Sequence, residues 1–133
     1  MPLLFILEDT PADLRKAADI AQSVGFTEVE ISRFASDAQS YLKKAMSGNV
    51  SLPDAIVIDL DLGIESGFEL LRFWHGTPLL RPIPVIIWTG MGDHQREICE
   101  LFGVYKFVLK GDGPQPLSEA LSSVIAGTTQ PQA

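Results

Sequence analysis

Apolar residues fall along this chain in two rhythms. Leu3 to Leu7, Ala55 to Ile58 and Val85 to Trp88 are short uninterrupted apolar runs, and Val104 to Leu109 is broken only by Lys106. Runs of this length, rich in β-branched residues, predict strands buried on both faces of a sheet. Thr27 to Phe34 alternates instead, with Val29 and Ile31 apolar and Glu28, Glu30 and Ser32 polar, which predicts a half-exposed edge strand. Between the strands, apolar residues recur at helical spacing. Leu14, Ala17, Ala18, Ala21 and Val24 line a first helix that Thr10 can cap, Pro11 can open and Gly25 can end. Asp13 in its first turn suits the positive end of the helix dipole. A capping box at Ser36 to Gln39 opens a second helix, with Ala38, Tyr41, Leu42, Ala45 and Met46 on its apolar face. Another box, Ser66 to Glu69, opens a third that runs to about Trp74. A short fourth helix spans about Asp93 to Phe102, with Ile98, Leu101 and Phe102 inward. The fifth carries Leu117, Ala120, Leu121, Val124 and Ile125 and stops at Gly127.

Five strands alternating with five helices imply parallel strands joined by right-handed crossovers. The expected fold is α/β: a doubly wound five-stranded parallel sheet of flavodoxin-like order 2-1-3-4-5, covered by helices on both faces. One domain over residues 1–127 is expected, with a flexible tail over 128–133 that leaves no space for an output domain. At 133 residues the chain buries enough surface to fold without disulfide or metal.

The net charge of −7 argues against a nucleic-acid partner and agrees with carboxylates gathered around a cation. The single Cys99 excludes an internal disulfide and fits a reducing compartment, most simply as a small core residue. No run reaches the roughly 18 apolar residues of a membrane span. The first strand has no basic leader before it and stops at Glu8 and Asp9, so it does not read as a signal peptide. A cytoplasmic protein is expected.

Chemistry gathers outside the carboxyl ends of strands in open α/β sheets. Glu8 and Asp9 follow the first strand, Asp59 the third, Thr89 the fourth and Lys110 the fifth. In the expected order these ends meet in one shallow pocket. Three carboxylates at close quarters repel one another unless a cation intervenes, and oxygen-only ligands that leave room for water suit Mg²⁺. Asp61, in the loop after Asp59, can add its backbone carbonyl. A carboxylate beside Mg²⁺ is a nucleophile suited to phosphorus, and Lys110 and Thr89 are a cation and a hydroxyl suited to phosphoryl oxygens. Each residue taken singly is an ordinary strand end. The set is informative because each follows a separately predicted strand and has a distinct chemical role.

With these residues in place, the chain resembles a response-regulator receiver domain of two-component signalling, from about Pro2 to Gly127. The acidic pair Glu8-Asp9, the central Asp59, Thr89 and Lys110 carry the resemblance, and Gly67 also matches. It implies a signalling module, not an enzyme, that assists its own Mg²⁺-dependent phosphorylation and dephosphorylation. It implies that Asp59 accepts a phosphoryl group from a histidine kinase or histidine phosphotransfer protein. Asp9, Asp59 and the Asp61 carbonyl would bind Mg²⁺, with Glu8 acting mainly through water. Thr89 and Lys110 would hold the phosphoryl group. Phe107 falls at the aromatic switch position, and a downstream protein target would read the face formed by the fourth helix, fifth strand and fifth helix. The chain departs from the pattern at Gly111, where a proline usually follows the lysine, at Gly63, where a proline is common, and at Phe107, which lacks a hydroxyl. Asp61 and Met91 occupy positions that tune phosphate lifetime in the family.

Two rivals remain. A phosphorylation-independent pseudo-receiver would keep the fold as an interaction module, against which the intact Glu8, Asp9, Asp59, Thr89 and Lys110 speak. A hydrolase with an aspartyl nucleophile could use Asp61 as its acid, but 133 residues leave little space for a cap domain. His75 and His94 lack ligand-spaced partners, and no glycine-rich nucleotide fingerprint is present.

Overall fold

The computed structural model describes residues 2–63, 65–90 and 93–129. The strands are β1 (Leu3–Leu7), β2 (Glu28–Ser32), β3 (Ala55–Ile58), β4 (Asp61–Leu62), β5 (Glu65–Ser66), β6 (Val85–Thr89) and β7 (Lys106–Leu109). The helices are α1 (Pro11–Val24), α2 (Ala35–Met46), α3 (Phe68–His75), α4 (Arg96–Leu101) and α5 (Gln115–Thr129). β4 and β5 form a small antiparallel ribbon apart from the main sheet. The main sheet is parallel, in the order β2-β1-β3-β6-β7. With the ribbon set aside, this is the expected 2-1-3-4-5.

The uninterrupted apolar runs are explained by the two faces of the sheet. Phe5, Leu7, Ile56, Ile58, Val85, Ile87 and Phe107 point to one face, where α2, α3 and α4 bury Leu42, Leu70, Leu71, Trp74 and Cys99. Leu4, Ile6, Ala55, Val57, Ile86, Trp88 and Val108 point to the other, against Ala17 and Ala21 of α1 and Leu117, Leu121 and Val124 of α5. Successive strand residues serve opposite layers, so β1, β3 and β6 hold no polar position until their ends. β2, at the edge, leaves Glu28 and Glu30 exposed as expected, but Ile31 is exposed as well.

Several element ends differ from expectation. β2 is shorter than Thr27 to Phe34, and β7 starts at Lys106 although the Tyr105 N–H already donates to the Val85 carbonyl. α2 begins at Ala35, a fully buried residue, so core packing starts the helix one residue before the Ser36 box. Phe34 stands at its N-cap with no side-chain bond. Thr10 does occupy the cap of α1, but its hydroxyl donates to Asp9 Oδ1 at 3.4 Å instead of capping. At α3 the Ser66 hydroxyl accepts the Phe68 N–H at 3.1 Å, with Gly67 at the N-cap.

The apolar face of α4 is corrected. Cys99 is fully buried and Phe102 packs partly against the core, while Ile98 and Leu101 are exposed. With 100° per residue, Cys99 and Phe102 share one side of so short a helix and Leu101 falls opposite. Gly127 does not end α5, which continues to Thr129. Isolated glycine costs a helix only about 1 kcal/mol, and this one stands in open space. The expected tail is thus helical at its first two residues, and its remainder, 130–133, lies outside the described residues, as does Met91. Among the described residues, no helix is long and apolar enough to cross a membrane.

Candidate functional site

β1, β3 and β6 are adjacent and parallel, so their carboxyl ends deliver side chains to one edge of the sheet. Glu8 and Asp59 are buried there, Asp9 is half-buried, and Thr89 is fully buried at the end of β6. Carboxylate oxygens of Glu8, Asp9 and Asp59 all lie within 4.8 Å of one another.

Backbone donors orient the two buried acids. The Thr10 N–H donates to Glu8 Oε1 at 3.2 Å, and the Asp61 N–H donates to Asp59 Oδ1 at 3.1 Å. The other oxygen of each acid turns to the Lys110 ammonium, at 2.7 Å from Glu8 Oε2 and 3.1 Å from Asp59 Oδ2. Lys110 follows β7 directly and heads a short 3₁₀ turn, Lys110–Asp112. Its ammonium also lies 4.9 Å from the centre of the Trp88 ring, so Trp88 faces the site as well as the core.

Two glycines shape the loop after Asp59. Gly63 has φ +75° and sits 3.6 Å, measured from an added Cβ, from Asp9 Oδ2. Gly67 is held against the end of β3, where an added Cβ would lie 2.0 Å from the Asp59 carbonyl oxygen and 2.8 Å from Ile58 Cγ2. Its N–H donates to the Leu60 carbonyl at 3.0 Å. The Asp61 side chain is exposed and turned along the loop, where it accepts the Gly63 N–H at 3.2 Å. Asp61 is thus outside the carboxylate cluster, and only its backbone reaches Asp59.

Burial pushes the Glu8 carboxyl up from its ordinary 4.5 to about 7; the Lys110 hydrogen bond opposes this and the Asp59 charge adds to it. Burial alone would lower the Lys110 pKa, but the hydrogen bonds that its ammonium donates to Asp13 and Glu8, with the charge of Asp59, more than reverse it. The lysine is therefore firmly cationic. Burial raises the Cys99 thiol to about 11, which keeps it inert at neutral pH.

The pattern along the chain gave no site role to Asp13. In that view it is no more than a partner for the helix dipole, yet its Oδ2 accepts from Lys110 Nζ at 2.8 Å. The signal was available: a helix that starts at the carboxyl edge of a parallel sheet aims its first turn at the strand-end pocket. Phe107 is buried against the apolar layer, with the Arg96 guanidinium 4.8 Å from its ring centre and Arg96 Nη1 donating to its carbonyl at 3.2 Å. A cleft of 340 Å³ opens on the α1 side of Lys110, lined by Asp13, Lys16, Ile20, Trp88 and Pro114 among others.

The donor set at the cluster is all oxygen and clustered at strand ends, which fits a hard divalent cation and not a thiolate- or imidazole-bound metal. A doubly wound α/β domain with an acidic, lysine-bearing pocket at its topological edge is the class defined here. Its fold is that of response-regulator receiver domains. The phosphorylated cyanobacterial phytochrome response regulator RcpA is 24 % identical with a TM-score of 0.79, the match covering 98 % of this chain and 99 % of that one. The signal receiver domain of a histidine kinase from Syntrophus aciditrophicus is 25 % identical at TM-score 0.79, over 100 % and 96 %. The Mn²⁺-bound response regulator Rcp1 is 20 % identical at TM-score 0.77, over 100 % and 98 %. No protein-family model matches the sequence, and comparison with curated protein sequences gives no significant match.

Proposed function

We propose that this chain is a phospho-acceptor switch of two-component signalling, with Asp59 as the acceptor. One observation carries the reading: Lys110 Nζ reaches Asp59 Oδ2 at 3.1 Å while oxygens of Glu8, Asp9 and Asp59 cluster within 4.8 Å. That arrangement supplies a nucleophile, a cation binder and a fixed positive charge at one point.

In the proposed reaction an Asp59 carboxylate oxygen attacks the phosphorus of a phosphohistidine on a histidine kinase or phosphotransfer protein. The new P–O bond forms as the P–N bond breaks, and the imidazole leaves with the N–P electron pair and takes up a proton from solvent. Asp9 and Asp59, with the Asp61 carbonyl, would hold Mg²⁺, and Glu8 would act mainly through water. Mg²⁺ supplies neutralisation of phosphoryl oxygens in such a site. Lys110 neutralises another oxygen as a point charge, and the Thr89 hydroxyl donates to the product. The added charge then biases the surface around Phe107, α4 and α5 toward a protein target.

Incubation with acetyl phosphate and Mg²⁺ tests the reading by intact mass. The expected result is the gain of one phosphoryl group, lost without Mg²⁺ and in Asp59→Asn. No gain from acetyl phosphate or from a cognate kinase would overturn it and favour a phosphorylation-independent interaction module.

A further inference from the structure

We propose that Asp13 is a positioning residue that sets the direction in which Lys110 presents its charge to Asp59. The inference rests on Asp59 being the phospho-acceptor.

A lysine ammonium has three N–H donors and no acceptor. Here the three meet Glu8 Oε2 at 2.7 Å, Asp13 Oδ2 at 2.8 Å and Asp59 Oδ2 at 3.1 Å. A single partner fixes one N–H and leaves the ammonium free to turn about that bond. A second fixed oxygen determines where the third N–H points. Glu8 and Asp13 together thus aim the remaining donor at Asp59, whose contact is the longest of the three. That donor is the one a phosphoryl oxygen on Asp59 would take.

The lysine needs such help from outside its own segment. Its stem is long and flexible. It stands just past the last paired residue of β7, and the next residue, Gly111, has open space where a side chain would pack. Asp13 sits on a rigid element: α1 buries Ala17 and Ala21 completely. Asp13 and Lys110 both line the 340 Å³ cleft beside α1, and their ion pair, at 2.8 Å, ties α1 to the segment that carries Lys110 and Pro114. The pair is partly shielded, with 23 % and 16 % of the two side chains exposed, so it is not a fully solvated ion pair of little consequence. Asp13 does not belong to the carboxylate cluster of Glu8, Asp9 and Asp59. Its loss should therefore separate two quantities that loss of Asp9 would alter together.

The test uses the full chain as wild type, Asp13→Asn and Asp13→Ala. Phosphorylation by acetyl phosphate at saturating Mg²⁺ should slow by roughly tenfold in Asp13→Ala, as expected when a reacting group is misplaced by a fraction of an ångström to 1 Å. Asn, which keeps an acceptor oxygen, should fall between. Mg²⁺ affinity should stay at the wild-type value. The ¹⁵N–¹H signal of the Lys110 ammonium should be visible in the wild type and lost in Asp13→Ala. Wild-type rates in both variants, a retained Lys110 signal, or a rate loss matched by an equal loss of Mg²⁺ affinity would each overturn the proposal. A wild type that gains no phosphoryl group overturns the function itself, and the positioning role with it. A phosphorylated wild type matched by Asp13→Ala overturns the positioning role alone.

Discussion

Glu8 is buried beside Asp59, and the Lys110 ammonium and the Thr10 N–H ease its ionisation. Its raised pKa of about 7 means that the folded chain holds a proton that the unfolded chain releases near 4.5. The contribution of Glu8 to stability is therefore fully present below that lower value and is lost as pH rises through the higher one. In the cation-free protein, unfolding by denaturant across this window should show a downward stability slope in wild type that is reduced in Glu8→Gln. An identical slope in the two proteins would show that Glu8 is not the group responsible. The gathering of Glu8, Asp9, Asp59, Thr89 and Lys110 at one sheet edge was legible in the sequence because each stands at the end of an apolar run. Asp13 was not, because an acid in a first helical turn has a sufficient local explanation in the helix dipole. Only the approach of α1 to the Lys110 segment, across 97 positions of chain, gives it a second role.

The elements that deliver the site were legible to different degrees. Buried strands announce themselves, since a sheet covered on both faces forces continuous apolar runs. Helix starts were less secure: Ala35 begins α2 because it is buried, which no capping residue reports. In α4 only six residues are helical, too few for spacing to say which of Ile98, Cys99 and Leu101 face the core. The junction between α3 and β3 lies directly against the Asp59 backbone. Gly67 lets the start of α3 rest against the Asp59 backbone, where no side chain fits. Gly67→Ala must push the helix and the strand end apart. It is expected to cost about 1–3 kcal/mol or more, as overpacking does, and to slow phosphorylation of Asp59 along with it. Chemical denaturation and the acetyl phosphate assay read the two effects. Unchanged stability would mean that the contact is looser than described.

At the scale of the whole molecule, the strand order brings residues from positions 8, 9, 59, 89 and 110 to one edge of the sheet. The order itself followed from alternating strands and helices and the right-handed crossover rule, so the gathering of these residues was inferable before any coordinate. What the pattern could not supply was the hand-over of charge within the pocket: which oxygen of Asp59 meets Asp61 N–H, which meets Lys110, and how Asp13 enters. The account stands on Asp59 becoming an acyl phosphate. Borohydride reduction of the protein after acetyl phosphate and Mg²⁺, followed by peptide mass mapping, reads that bond directly, because an aspartyl phosphate is reduced to homoserine. The account predicts conversion at position 59 that depends on Mg²⁺. Conversion at another carboxylate, or none at all in a protein that has gained a phosphoryl group, would contradict it.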